Sequence, residues 1–284
     1  MILVDMNQIA LASVMMHLNM NKTTEPDEKM VRHMILNSIR MYRTRFVEEY
    51  GELVICYDSR HYWRRDVFPH YKHNRKKGRE ESPLDWDCIF GILNSVKEEL
   101  IKFFPYKVLE VYGAEADDII AALCLELEFD NGKTLIVSGD KDFIQLQKIK
   151  NVTQYSPITK KFINGQDPVQ YLKEHILRGD TSDGIPNVLS PDHTFSEGLR
   201  QRPLGKKKIE NWIDNDIDDV LPNDEVKRNY QRNQKLIDLS KSPSELYINI
   251  LKEYQDAPEG DRSKLLNYFI DKRLTTLTES IGEF

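Results

Sequence analysis

The sequence predicts an α/β protein with a mostly parallel central sheet flanked by helices, followed by a helical C-terminal region. Short apolar runs typical of buried strands alternate with longer segments whose apolar residues recur at helical spacing. This alternation ends near residue 160, and no further strong strand pattern follows it. We therefore place a boundary near residue 180, which divides the chain into an α/β domain over 1–180 and a helical domain over 181–284.

The individual elements are predicted from the length of each pattern and from the residues that bound it. Apolar runs predict the strands 2–4, 53–57, 108–111 and 135–137. Helical spacing predicts the helices 8–16, 27–49, 86–104, 115–127 and 168–178. Pro26 marks the first turn of the second helix, and Pro105 ends the third. Asp167-Pro168 opens the last helix as an N-cap followed by proline, and Asn131-Gly132 turns the chain into the fourth strand.

Composition excludes several classes of protein. The chain has 284 residues, of which 40% are hydrophobic and 30% charged, as is typical of a globular protein. No stretch approaches the ~20 apolar residues of a membrane span, and Asp5 interrupts the apolar start too early for a signal peptide. Cys56, Cys88 and Cys124 are odd in number and widely spaced, so neither a disulfide framework nor a zinc site is predicted. We expect a cytoplasmic protein with buried, reduced thiols.

Carboxylates follow apolar runs five times along the chain. Because the carboxyl ends of parallel strands meet at one edge of a sheet, acids placed directly after strands converge there. Converging carboxylates repel one another, and a divalent cation bound between them removes the repulsion. The sequence therefore favours a shared metal site, with the alternative that each acid caps a helix or makes a turn. The candidate metal ligands are Asp5, Asp58, Glu115, Asp117, Asp118, Asp140, Asp142, Asp180 and Asp183.

A basic, aromatic segment lies between residues 60 and 79, although the formal net charge of the chain is -6. It holds eight basic residues against one acid, Asp66, and four aromatic residues lie among them. Guanidinium and ammonium groups neutralise phosphates while aromatic rings accept stacked bases, so this mixture favours binding of a nucleic-acid strand. The alternative is a solvated charged helix, although Pro69 and Gly78 are expected to interrupt any single long helix.

Six motifs combine these acidic and basic residues in a fixed order. They are Val4-Asp5-Met6-Asn7-Gln8-Ile9-Ala10, Tyr62-Trp63-Arg64-Arg65-Asp66, Tyr71-Lys72-His73-Asn74-Arg75, Glu115-Ala116-Asp117-Asp118, Ser138-Gly139-Asp140-Lys141-Asp142-Phe143 and Arg178-Gly179-Asp180 with Asp183. Together they resemble the 5′-nuclease family, which includes flap endonucleases and the 5′-exonuclease domains of bacterial DNA polymerases. The strongest likeness is to its T-even bacteriophage ribonuclease H branch. The likeness spans the chain and includes its last residues, 277–284.

This resemblance implies a site with two Mg²⁺ ions, for which Mn²⁺ can substitute. The ligands it implies for the first ion are Asp5, Asp58, Glu115 and Asp117, and those for the second, partly through water, are Asp140, Asp142, Asp180 and Asp183. Two metal ions suit in-line displacement at phosphorus. The basic segment, taken as about 60–81, becomes an arch over the active site in which Lys72 and Arg75 contact the scissile phosphate. The other residues expected to bind nucleic acid there are Arg64, Arg65, Tyr71, Lys76 and Lys77.

The C-terminal domain, by the same resemblance, binds DNA through a helix–hairpin–helix, and this chain departs from the family pattern. Its two glycine turns, in 184–188 and 203–208, are separated by the segment 189–202. The predicted motif is therefore a modified helix–hairpin–helix. In this interpretation Lys206, Lys207 and Lys208 bind phosphate at a helix N-terminus, and the alternative is a solvated lysine run.

The function that the resemblance implies is that of a Mg²⁺-dependent 5′-to-3′ exonuclease and flap endonuclease that removes RNA primers at the replication fork. Its substrates are branched or nicked DNA and RNA–DNA hybrid, and its implied partners are a single-strand-binding protein and a sliding clamp. We expect a monomer, in the cytoplasm of the host cell if a phage encodes it. Two alternatives remain: an acidic-pocket phosphatase, which leaves the basic segment without a purpose, and a DNA-structure-binding protein with a structural metal and no cleavage activity.

Overall fold

A six-stranded sheet lies at the centre of the computed structural model, which describes residues 1–126, 132–258 and 260–284. The strands are β1 (Ile2–Asp5), β2 (Leu53–Tyr57), β3 (Lys107–Glu110), β4 (Thr134–Val137), β5 (Val152–Ser156) and β6 (Lys161–Ile163). Their order across the sheet is β3-β2-β1-β4-β5-β6. The first five strands pair in parallel, with Val4 opposite Ile55 on one side and Val137 on the other, and only β6 is antiparallel among the described strands. The predicted mostly parallel sheet is confirmed.

Helices cover both faces of this sheet and form most of the chain after residue 164. They are α1 (Met6–Asn21), α2 (Glu28–Tyr50), α3 (Trp63–Val67), α4 (His73–Glu80), α5 (Trp86–Phe103), α6 (Ala116–Glu126), α7 (Pro168–Arg178), α8 (Lys206–Ile213), α9 (Ile217–Val220), α10 (Asp224–Ile237), α11 (Ser244–Asp256), α12 (Leu265–Asp271) and α13 (Thr275–Thr278). A longer 3₁₀ helix spans Lys141–Lys148. None of the described helices is long and apolar enough to cross a lipid bilayer.

Several predicted boundaries differ from those of the structure. Helix α1 continues to Asn21 instead of ending at residue 16, because Leu18 still packs into the core. Gly78 does not interrupt a helix, since α4 runs through it to Glu80. Cys88 is exposed on the outer face of α5, so the expectation of three buried thiols is wrong there. The predicted Asn131-Gly132 turn and the predicted end of its preceding helix at residue 127 lie outside the described residues.

Two apolar cores lie against the two faces of the sheet. One is formed by α1, α2 and α5, and the other by α6 and α11. Strands β1, β2 and β4 are buried on both faces, as expected for parallel strands covered by helices. The C-terminal region contributes Phe269 and Phe284 to the first core and Leu246 and Ile250 to the second. The domain boundary near residue 180 therefore stays a prediction, and the region beyond it is helical as expected.

The segment between α7 and α8 is the region for which the sequence predicts the modified helix–hairpin–helix. Gly179 has a φ of 67°, and an added Cβ would lie 2.3 Å from the carbonyl oxygen of Ile185, so only glycine fits there. A backbone hydrogen bond of 2.7 Å from Ile185 to Asp180 closes this turn. Helices α7 and α8 pack together through Leu177 and Trp212 in a small separate core. The chain is thereby turned back so that the residues after α7 face the carboxyl ends of the strands.

Candidate metal centre

Asp5 and Asp58 end neighbouring strands, and both accept backbone hydrogen bonds. Asp5 is the N-cap of α1, where its Oδ1 accepts from the Gln8 N–H at 3.4 Å and its Oδ2 from the Ser138 hydroxyl at 2.8 Å. Asp58 follows β2, and its Oδ1 accepts from the Ala116 N–H at 2.7 Å. A carboxylate that caps a helix can therefore still converge with other acids at the edge of the sheet. The same hydrogen bonds draw the end of β4 and the start of α6 towards the first two strands.

Mutual repulsion shows that acids from different segments converge at this edge of the sheet. Burial, and then repulsion from Asp58, raises the pKa of Asp5 to about 7. Burial, and then repulsion from Asp140, raises the pKa of Asp142 to about 8. Burial, followed by repulsion from Asp140 and Asp5, raises the pKa of Asp117 well above its ordinary value. We call this group, Asp5, Asp58, Glu115, Asp117, Asp140 and Asp142, the acidic edge.

Glu115 is the most heavily compensated member of the acidic edge. Its carboxylate is buried and accepts hydrogen bonds from the Arg64 guanidinium at 2.9 Å and the Tyr71 hydroxyl at 3.0 Å. The Lys72 ammonium group also donates to it. The buried Glu115 carboxylate is thus bonded by two cations and one hydroxyl group. Such a buried ion network is stable only while every partner is present.

Asp118 lies behind Glu115 and does not fit the expectation of a metal ligand. Its carboxylate is buried and accepts from the Arg64 guanidinium at 2.8 Å, the Ser242 hydroxyl at 2.7 Å and the Glu115 N–H at 3.0 Å. Burial alone would raise the pKa of Asp118, but pairing with Arg64 outweighs it and lowers the pKa. Because the Asp118 carboxylate is fully buried and pairs with the Arg64 guanidinium, its role in the structure is to hold Arg64 in place.

Arg64 and Tyr71 also differ from the expectation that they bind nucleic acid. The Arg64 side chain is only 3% exposed and donates through Nε to the carbonyl of Leu236 at 2.9 Å. Tyr71 is 4% exposed, and its hydroxyl donates to Asp183 at 2.9 Å as well as to Glu115. Neither side chain can reach a phosphate or stack on a base without leaving the core. Both side chains instead form hydrogen bonds with the carboxylates of the site.

Lys72 and Arg75 reach the same site from the loop before α4 and from α4 itself. Lys72 is nearly buried, lies in the left-handed backbone region at a φ of 55°, and places Nζ 3.7 Å from Asp183 Oδ2. Burial alone would lower the pKa of Lys72, but Asp183 and Glu115 outweigh it and raise the pKa. Arg75 is half-exposed and pairs with the other oxygen of Asp183. We call Arg64, Lys72 and Arg75 the cation cluster.

Asp142, His175 and Asp180 form a second group beside the acidic edge. His175 Nδ1 lies 3.2 Å from Asp142 Oδ1, and His175 Nε2 lies 3.5 Å from Asp180 Oδ2. One donor atom from each residue lies within 4.8 Å of the others. In the part of the chain that the structure describes, no other set of three His, Cys, Asp or Glu side chains is that close. The sequence prediction missed His175, whose position five residues before Asp180 on the last turn of α7 was the available signal.

Comparisons with known proteins decide which family this site belongs to. A family model described as 5'-3' exonuclease, N-terminal resolvase-like domain, matches residues 1–174, and one described as T4 RNase H, C terminal, matches residues 168–284. The chain belongs to the 5′-nuclease family. It is a nuclease, so the phosphatase and the non-cleaving DNA-binding protein are set aside.

Relatives of this 5′-nuclease agree with that assignment. Ribonuclease H of Enterobacteria phage T4 is 36% identical over 293 residues, which cover 99% of this chain and 95% of the relative. Flap endonuclease Xni of Shewanella sp. (strain MR-4) is 31% identical over 135 residues, 44% of this chain and 48% of the relative. The crystal structure of the bacteriophage T5 D15 flap endonuclease in a complex with DNA and metal ions has a TM-score of 0.63 at 19% identity, covering 90% of this chain and 99% of that one. This last likeness shows the fold.

The other basic residues that the sequence predicts to bind nucleic acid lie on the surface of the nuclease. Arg65, Lys76 and Lys77 are exposed, and the two lysines lie 3.9 Å from Glu80 and Glu81 on the same helix. Such exposed ion pairs contribute little to stability and release their cations easily. The exposed residues at the start of α8 are Lys206, Lys207 and Lys208. All six can meet a phosphate without rearrangement of the core.

Proposed function

We propose that this nuclease is a Mg²⁺-dependent 5′-to-3′ exonuclease and flap endonuclease that acts on RNA–DNA hybrid, duplex and branched DNA and removes RNA primers at the replication fork. The observation that carries the proposal is the acidic edge facing the cation cluster. Carboxylates that repel one another in the absence of an ion are suited to hold divalent cations, and the adjacent Lys72 and Arg75 are suited to bind a phosphodiester. The relatives named ribonuclease H and flap endonuclease support both substrate types.

The donor chemistry of the acidic edge fits Mg²⁺, with Mn²⁺ as a substitute, since hard divalent cations bind carboxylate oxygens and retain water. Two bound ions would supply an activated water and neutralise charge that develops on the phosphate. We propose that Asp5, Asp58, Glu115 and Asp117 hold or orient the first ion, and that Asp140, Asp142, Asp180 and Asp183 do so for the second. The raised pKa values of Asp5 and Asp142 support this, because a neighbouring cation is what would keep both acids ionised.

Lys72 and Arg75 are proposed to act on the scissile phosphate. Their present partners, Glu115 and Asp183, are among the proposed metal ligands, so ion binding would release both cations from part of their attraction. The pKa of Lys72 is raised, and its ammonium group is therefore charged throughout the physiological pH range. A permanently charged group of this kind stabilises negative charge in the transition state and does not transfer a proton.

The surface of the nuclease is proposed to position the substrate on either side of the arch. Arg65, Lys76 and Lys77 would contact phosphates of one strand, and Lys206, Lys207 and Lys208 those of the duplex through the modified helix–hairpin–helix. Most of the proposed metal ligands then lie in residues 1–180, and the proposed duplex-binding lysines lie in residues 181–284, to which Asp183 also belongs. We further propose a monomer that works in the host cytoplasm with a single-strand-binding protein and a sliding clamp, which the family resemblance implies.

The test is cleavage of 5′-labelled flap, nicked-duplex and RNA–DNA substrates with Mg²⁺ and with EDTA. We expect short 5′-terminal products with Mg²⁺ and none with EDTA. The matched control is Asp66→Asn, which removes an exposed acid of the arch that pairs with His61 and should cleave normally. Tight substrate binding without products in Mg²⁺ and in Mn²⁺ would refute the proposal.

A further inference from the structure

His175 lies between two carboxylates from different segments of the chain, those of Asp142 and Asp180. Asp142 belongs to the 3₁₀ helix that follows β4, whereas Asp180 follows α7. The ring lies within 3.2 Å of the first carboxylate and 3.5 Å of the second. Its side chain is only 14% exposed. Packing of α7 against the 3₁₀ helix therefore brings one nitrogen ligand and two oxygen ligands to a common point.

Contacts within the protein leave this imidazole incompletely satisfied. His175 Nδ1 is fully shielded from solvent and has no hydrogen-bond partner of acceptable geometry, in spite of its proximity to Asp142. Asp180, in contrast, has other donors: its Oδ1 accepts from the Ser182 N–H at 2.7 Å and the Ser182 hydroxyl at 2.6 Å. A buried polar atom without a partner is unfavourable and indicates a role that the protein alone does not fulfil.

The donor set points to the kind of ion. Mg²⁺ takes oxygen ligands and keeps its waters, whereas an imidazole nitrogen suits first-row transition metals. We propose that His175 is a direct ligand of the second ion, together with Asp142 and Asp180, and that this position takes a divalent transition metal in preference to Mg²⁺. The inference rests on the proposed two-metal function and deepens it, since it makes the two ion positions chemically different. An all-oxygen position at Asp5 and Asp117 would remain suited to Mg²⁺.

Mn²⁺ is the probe of choice, because it is accepted by oxygen and nitrogen ligands and is visible by anomalous scattering. Crystals of the full chain are soaked in Mn²⁺ with excess Mg²⁺, and Mn²⁺ affinity is measured by calorimetry in solution. We expect an anomalous peak at bonding distance from a His175 nitrogen. We also expect His175→Asn to weaken Mn²⁺ binding at this site by at least about tenfold, since even the loss of an outer-shell partner of a metal ligand costs that much. The matched control His193→Asn, at an exposed histidine, should bind as the unmodified protein does.

Three outcomes separate this inference from the function it rests on. Mn²⁺ bound at Asp5 and Asp117 but not at His175 overturns the inference alone, as does unchanged Mn²⁺ affinity in His175→Asn. No divalent ion anywhere along the acidic edge overturns the proposed function as well. If the asparagine variant melts earlier than the unmodified protein without any metal, the anomalous map of the unmodified protein decides by itself.

Discussion

The two halves of the site balance their negative charge by different means. Around Glu115 and Asp118 the compensation is permanent, because the buried Arg64 guanidinium bonds both carboxylates at 2.9 and 2.8 Å. Among the described residues no arginine or lysine pairs with Asp142, which lies beside His175, and burial with repulsion from Asp140 raises the pKa of Asp142 to about 8. Glu115 and Asp118 therefore have a permanent cationic partner, whereas Asp142 has none in the part of the chain that the structure describes. An ion therefore has most to contribute where fixed cations are fewest.

The largest effect is expected from Asp140→Asn, in the half that lacks fixed cations. If this carboxylate holds or orients an ion, its loss should lower the single-turnover cleavage rate by at least about 10³-fold, the scale of losing a charge-stabilising group in a catalytic site. DNA affinity, measured by fluorescence anisotropy in Ca²⁺, should change little because the group binds metal and not nucleic acid. Near-normal turnover in this variant would remove the distinction between the halves.

Arg64→Ala should damage stability most, since it removes the permanent compensation of the first half. Glu115 and Asp118 would be left buried without their shared cation, at a cost of about 3–5 kcal/mol. Urea unfolding measures this loss directly. Arg65→Ala is the matched control, and because that side chain is exposed its effect should stay within about 0.5 kcal/mol. Equal stabilities for the two variants would contradict the claim that Arg64 compensates the buried charges of Glu115 and Asp118.

Lys72→Ala tests whether the cation cluster also acts in the reaction. A cation over the scissile phosphate acts mainly on charge that develops in the transition state, so the single-turnover rate should fall by about 10²-fold or more. The dissociation constant for a flap substrate should rise far less. Lys72→Arg keeps the charge and should recover part of the rate. Reduced affinity with a normal rate at saturation would instead make the arch only a docking surface.

The pH dependence of stability in the absence of metal tests whether the acids of the acidic edge converge. The pKa values of Asp5 and Asp142 are raised in the folded protein to about 7 and about 8, so folding favours their protonated forms. These groups therefore contribute stability at low pH that is lost as the pH rises from about 4 through 8. We expect the Tm in EDTA to fall between pH 5.5 and 8.5, and Mg²⁺ to raise it most at the alkaline end. A Tm that rises over this range, or that ignores Mg²⁺, contradicts the convergence.

The smallest effect is expected at Lys76, which belongs to neither half. Its side chain is exposed and pairs weakly with Glu80, so Lys76→Ala should leave folding and the saturated cleavage rate unchanged. If it contacts one phosphate, the slope of log affinity against log salt concentration should decrease by about one. An unchanged slope would place the DNA path elsewhere on the surface.

The sequence predicted the sheet and the convergence of the acids because both follow from local patterns. Strands β1, β2 and β4 contain apolar runs that are followed by acids, and parallel pairing brings their ends together. Strand β6 was not predicted because its residues are largely exposed, and β5 has a mixed polar composition. The burial of Arg64 and Tyr71 could not be predicted either, since the composition of a basic, aromatic segment does not show whether its side chains face solvent or buried carboxylates. His175 was missed because its spacing from Asp180, the available signal, does not show that the ring also lies beside Asp142.

The central claim is that the acidic edge works through bound divalent ions, and the rate of flap cleavage against free Mg²⁺ concentration tests it most directly. Single-turnover rates are measured on one 5′-labelled flap from micromolar to millimolar Mg²⁺ at constant ionic strength. Two ions that are both required predict a log–log slope above one at low Mg²⁺ and no cleavage in EDTA. Cleavage that persists in EDTA, or a rate independent of Mg²⁺, would contradict the account.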